Sequence, residues 1–186
     1  LLPNLENIDP YFLDLPFDPG NKYSVPYFWG TVGIVYNPNE VPEDLTFDSW
    51  EDLWDERLRG KVFLVDGSRE VMGMGLNSLG YSLNLKDDKA LREATDKLVG
   101  LIPNVKAIIG DEITPLMINN EATVALTWSG QAADMMWENE ELDFAVPKEG
   151  SNLWFDNMVI PKTSQNIEGA HAFINFMLTA ENSAQN

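Results

Sequence analysis

Cysteine is absent and histidine occurs once, at His171, in a chain of 186 residues. Without cysteine there is no disulfide framework, no thiolate zinc site and no cysteine nucleophile. A single histidine excludes a multi-histidine metal site and leaves any histidine-based triad one candidate base. Basic residues are scarce too: 12 Lys and Arg stand against 30 Asp and Glu, a net charge of −18. That sign is wrong for neutralising phosphates, so nucleic acid is excluded as a partner. The acidic excess fits a cationic partner and equally fits ordinary solubility. No apolar run approaches the roughly 20 residues that span a bilayer as a helix. What is present describes a folded protein, since 44% of residues are hydrophobic and 11% aromatic, too many for disorder. The chain opens on Leu1 rather than methionine and stops inside a helical run. It therefore reads as a piece excised from a longer protein, and the lack of a targeting segment carries no information on compartment.

Local signals alternate along the chain. Residues 1–22 are rich in Pro, Asn and Asp and predict an irregular segment. Tyr23–Tyr36 is a β-branched and aromatic run, hence a strand, with Gly30 and Gly33 as bends or close-approach points. Phe47–Leu58 predicts a helix capped by Ser49, with Trp50, Leu53 and Trp54 at helical spacing. Strands follow at Lys61–Val65, Val105–Ile109, Thr123–Trp128, Asp143–Val146 and Trp154–Ile160. Helices are predicted at Arg69–Leu79, Asp87–Leu101, Glu112–Asn119, Ser129–Asn139 and Ile167–Ala180, the last with Ala170, Phe173, Ile174, Met177 and Leu178 along one side. Strands alternating with helices imply an α/β fold with a mainly parallel sheet flanked by helices.

Ligands of such sheets bind beyond the carboxyl ends of the strands. Asp66 and Glu70 bracket the Val65–Arg69 strand-to-helix junction. A plain helix cap explains them, as does a carboxylate pointing into a cleft. Trp128 ends a buried strand just before Ser129-Gly130, as core or as a stacking wall. Trp154-Phe-Asp156 is the strongest hint of a site. Alternation puts Trp154 and Asp156 on one strand face and Phe155 on the other, and a buried unpaired carboxylate beside an indole is costly. Carboxylates interleaved with tryptophans suit an elongated cation with methylene spacers. An ammonium about 4 Å from a carboxylate gains about 4 kcal/mol before desolvation at an effective dielectric of about 20. An indole face adds about 0.5–2 kcal/mol. No metal site or cofactor is indicated: the acidic runs Asp87-Asp88 and Glu138–Glu141 lack EF-hand spacing, and Gly73–Gly80 has the wrong spacing and context for a dinucleotide loop. Met72, Met74, Met135 and Met136 read as core. A hydrolase or transferase would rest on Ser129 with His171, the one remote nucleophile–base pair.

The segments Pro16–Pro19, Tyr23–Gly30, Ser49–Trp54, Val65-Asp-Gly-Ser-Arg-Glu-Val71, Leu79–Tyr81, Pro147-Lys-Glu-Gly150, Trp154-Phe-Asp156 and Ile174–Leu178 together resemble the substrate-binding proteins of polyamine ABC importers, the spermidine/putrescine-binding family. Pro-Lys-Glu-Gly followed by Trp-x-Asp is the most specific of these. The resemblance implies a type II periplasmic-binding-protein fold of two lobes that closes on its ligand at a hinge. Residues 1–36 would be a remnant of lobe 1 with the first crossing strand, 37–153 the α/β lobe 2, and 154–186 the return strand and closing helix of lobe 1. It implies an extracytoplasmic, non-enzymatic protein, lipid-anchored in some form, that hands a polyamine to membrane permease subunits. Trp128 and Trp154 would be aromatic walls, Asp156 and Glu70 amine partners, with Asp66 as a further acid. Two positions depart from the family pattern: Gly67 replaces the second of two adjacent acids found in spermidine-preferring members, and Gly110 replaces a serine used by some. The resemblance also leaves part of lobe 1 outside these residues, which implies exposed apolar surface and self-association. The alternative ligands are another small cationic or organic solute, or iron.

Overall fold

A computed structural model describes residues 2–185. They divide into two units, and the chain passes between them twice, at Trp29/Gly30 and at Leu153/Trp154.

The unit formed by residues 30–153 is built on a sheet. Strand β1 (Val25–Tyr36) enters it, followed by β2 (Val62–Val65), helix α1 (Ser68–Ser78), helix α2 (Asp88–Leu101), β3 (Val105–Ile109), α3 (Ile113–Ile118), β4 (Val124–Trp128), α4 (Ser129–Glu138) and β5 (Asp143–Ala145). Strand order is β3-β2-β4-β1-β5. β2 pairs in parallel with β3 and β4, while β1 pairs antiparallel with β4 and β5. β2, β3, β4 and β5 therefore point one way and β1 runs against them. The three consecutive parallel strands are those joined by helices, as parallel neighbours require. All four residues of β2 are buried, the mark of a strand covered on both faces. Val35, Phe63, Ile113, Met117, Ala125, Ala132 and Met135 form one core cluster, and Leu76, Ala90 and Ala94 another. Asp87 caps α2 by accepting from the Ala90 N–H at 2.9 Å.

Phe47–Leu58 is the clearest departure from the sequence reading. It forms two 3-10 turns, Trp50–Trp54 and Glu56–Leu58, in place of one α-helix. Asp55 causes the break: its carboxylate accepts from the Arg57 N–H at 2.8 Å and starts the second turn. Trp50, Leu53 and Leu58 are still fully buried. The Asn104 amide ties the two turns to the sheet by donating to the carbonyls of Leu53 and Asp55, both at 2.8 Å.

Tyr36 ends β1 with its hydroxyl donating to Asp143 at 3.2 Å. Burial, and then the Asp143 charge, push its phenol up to about 12. The folded state thus holds this proton more tightly than the unfolded chain, whose tyrosine ionises near pH 10. The stabilisation is complete below about pH 10 and lost as pH rises to about 12. Alkaline unfolding followed by circular dichroism should show a fall in stability across that window, and Tyr36→Phe should flatten it.

The other unit holds the stretches up to Trp29 and from Trp154 onward. Its regular elements are 3-10 turns at Pro3–Asn7 and Pro10–Phe12, the first residues of β1, strand β6 (Leu153–Met158), α5 (Ile167–Met177) and α6 (Ala180–Gln185). β6 pairs with β1. The closing helix is interrupted after Met177, where a side chain replaces the helical donor: the Asn7 amide donates to the Leu178 carbonyl at 3.0 Å. Ile174 and Leu178 pack with Val25, while Phe173 stays exposed. An Asx-type knot orders residues 18–24, where the buried Asp18 carboxylate accepts from the N–H groups of Lys22, Tyr23 and Ser24 and from the Ser24 hydroxyl.

Candidate ligand site

The carboxyl ends of β2, β3 and β4 lie along one edge of the sheet, because the three strands are parallel neighbours. Asp66 follows β2 there, Gly110 and Asp111 follow β3, and Trp128 ends β4. The reversed β1 brings its Val32 to the same edge, in register with Trp128. The structure thus groups Asp66, Glu70 and Trp128 within one unit.

Asp66 is exposed, with its backbone N–H held by the Ile109 carbonyl at 2.8 Å. It does not cap the helix that follows. The N-cap of α1 is Gly67, and no side chain caps it. The ordinary structural explanation for Asp66 is therefore removed. Glu70 sits half-buried in the first turn of α1, its carboxylate folded back beside Gly67. A carboxylate there is favoured by the helix dipole. Glu70 also lines a small cavity with Val32, Trp50, Met74, Asn77 and Ser151. Trp128 is half-buried at the start of α4, so it is neither full core nor free surface.

One residue on this edge, Gln131, escaped the sequence reading. The Gln131 amide accepts from the Thr127 hydroxyl at 2.6 Å and donates to Asp111 at 2.8 Å. Gln131 follows Thr127 by four residues across a strand-to-helix junction, a spacing that no single periodicity flags. The Ser129 hydroxyl accepts from the Thr31 N–H at 3.1 Å, and His171 Nδ1 donates to the Ile167 carbonyl at 2.9 Å. Each member of the remote nucleophile–base pair thus has a structural partner of its own.

In the other unit, Trp154 and Asp156 lie on β6, Trp154 half-buried and Asp156 exposed. Phe155 turns to an aromatic cluster, with ring centroids 6.2 Å from Phe12 and 6.0 Å from Phe17, and Phe12 stacks on Trp29 at 5.4 Å. The Glu149 carboxyl belongs to the unit of residues 30–153. Burial pushes it up, but hydrogen bonds from the Ser49 hydroxyl and from backbone N–H groups, with Lys148 nearby, outweigh this and hold it below the usual glutamate range. No group of three or more potential ligands could hold a metal ion among the described residues. No helix among them is long and apolar enough to cross a membrane.

A family of bacterial extracellular solute-binding proteins matches residues 1–186. The spermidine/putrescine-binding periplasmic protein of Escherichia coli is 40% identical over 178 residues, covering 95% of this chain and 51% of that protein. The structure of a Listeria monocytogenes protein assigned to a spermidine/putrescine ABC transporter is 59% identical at a TM-score of 0.93, over 100% of this chain and 57% of that one. The spermidine/putrescine substrate-binding protein PotD of Streptococcus pneumoniae is 56% identical at a TM-score of 0.89, over 98% and 56%. The chain spans about half the length of the curated relatives it matches.

Proposed function

This chain belongs to the bacterial extracellular solute-binding proteins, and from that premise we propose that it serves in a polyamine-binding protein. Such a protein works outside the cytoplasm, captures spermidine or putrescine and delivers it to the permease subunits of an ABC importer. It binds without catalysis. On this reading residues 1–29 and 154–186 belong to one lobe and 30–153 to the other, with β1 passing from the first to the second. The exposed aromatics Tyr11, Phe17, Tyr23, Trp29, Phe173 and Phe176 also support self-association of these 186 residues.

The ligand class rests on the Trp-x-Asp of β6, where Trp154 is half-buried and Asp156 exposed. Trp128, Asp66 and Glu70 at one sheet edge of the other unit support it. Asp156 and Glu70 supply charge for terminal ammonium groups, with Asp66 as a further acid. Trp154 and Trp128 pack the methylenes and attract the cationic ends. Gly67, where a second acid would strengthen selection of a third amine, leaves putrescine and spermidine both as candidates. Titration of the intact protein with spermidine and with putrescine in a calorimeter tests this. Saturable heat with at least one is expected, and none with either would overturn it.

A further inference from the structure

Pro147–Gly150 is among the sequence motifs singled out above that the proposed ligand contacts leave unused. Its surroundings are densely hydrogen-bonded. The Glu149 carboxylate accepts from the Ser49 hydroxyl and, at 3.3 Å, from the Trp50 N–H. The indole of Trp50, itself fully buried, donates to the Gly150 carbonyl at 2.8 Å. The amide of Asn77, from the last turn of α1, donates to the same carbonyl at 3.0 Å. The Lys148 N–H donates to the Asp48 carbonyl at 2.9 Å. Gly150 has φ +96°, a backbone conformation that side-chain-bearing residues rarely adopt. The Ser151 hydroxyl then donates to the Val32 carbonyl at 2.5 Å, and the Val32 N–H donates to the Asn152 carbonyl at 3.3 Å. Three separate parts of the chain, β1, residues 48–50 and α1, thus hold residues 148–152, and the next residue, Leu153, begins β6.

We propose that Glu149 and Asn77 are positioning residues for ligand binding: they immobilise residues 149–152, the lead-in to the strand that carries Trp154 and Asp156. Neither touches the ligand. The physical basis is preorganisation. A lead-in already ordered in the unliganded protein loses no conformational freedom on binding, whereas a loose one must be ordered at the expense of affinity. This role rests on the polyamine reading above.

The test uses the intact protein and the variants Glu149→Ala, Glu149→Gln and Asn77→Ala. Spermidine and putrescine affinity is measured by calorimetry, and amide hydrogen exchange without ligand reports local order. Glu149→Ala should bind about tenfold more weakly. It should exchange faster at residues 150–153 while the amides of β2, β3 and β4 are unchanged. Asn77→Ala should show the same pattern in weaker form. Glu149→Gln, whose side-chain carbonyl still accepts from Ser49 or Trp50, should stay within about threefold of the unsubstituted protein. Unchanged affinity in Glu149→Ala would overturn the positioning role, even if the segment loosens. So would acceleration of all sheet amides together, the signature of general destabilisation. If the unsubstituted protein bound neither polyamine, the solute reading itself would fall. Binding that Glu149→Ala leaves intact would remove the positioning role alone.

Discussion

Replacing Asp156 with asparagine is expected to weaken polyamine binding by about a hundredfold while leaving the fold intact. The two halves of this expectation have separate grounds. Asp156 is exposed on β6 and takes no part in the hydrophobic clusters or in the aromatic packing of Phe155. Its charge therefore does little for stability, and thermal unfolding of the unliganded variant should move by no more than a degree or two. A bound ammonium, by contrast, is partly desolvated and depends on a charge-assisted hydrogen bond of about 2–3 kcal/mol. Asparagine keeps the shape and one acceptor but removes the charge. A loss of about 2.7 kcal/mol corresponds to about a hundredfold in Kd. Calorimetry with the variant checks it, and an unchanged affinity would place the amine away from Asp156.

The second large effect is on stability. Gly33→Ala should destabilise the unit of residues 30–153 by about 3 kcal/mol, the upper range for overpacking. A Cβ at Gly33 would lie 2.6 Å from the Ala145 carbonyl oxygen and would also run into the Phe144 ring. The ring could turn aside. The carbonyl cannot, because it belongs to β5, which pairs with β1 through Ile34↔Ala145. Relief requires β1 and β5 to separate, and the adjoining β1–β4 ladder resists that. Gly130→Ala is the control: nothing lies within 4 Å of a Cβ there. Gly130 is in α4, where alanine is the better helix former. Its denaturation midpoint should hold or rise slightly, whereas Gly33→Ala should unfold at clearly lower denaturant. Equal midpoints for the two would contradict the close approach of β1 and β5.

The order and type of most elements are legible in local residue patterns. Val105–Ile109 is a strand with the predicted limits, and the helix after Asp87 ends at Leu101 as expected. Met74 and Met135 are buried as expected. These properties are local. Side-chain periodicity, caps and turn residues act over one to four positions, so they can be read from the string. Tertiary structure decided the rest. Trp50, Leu53 and Trp54 have helical spacing, yet the competing bond from Asp55 to Arg57 and the anchoring by Asn104 turn their segment into 3-10 turns. Asp66 looked like a cap until Gly67 took that position. Gly33 could have been a bend, and only the pairing with β5 makes it a point of close approach. The Pro-Lys-Glu-Gly motif was visible as a pattern, but its partner Ser49 lies 100 residues from Glu149. A hydrogen bond across such a span depends on how the whole unit packs, and no local propensity records it.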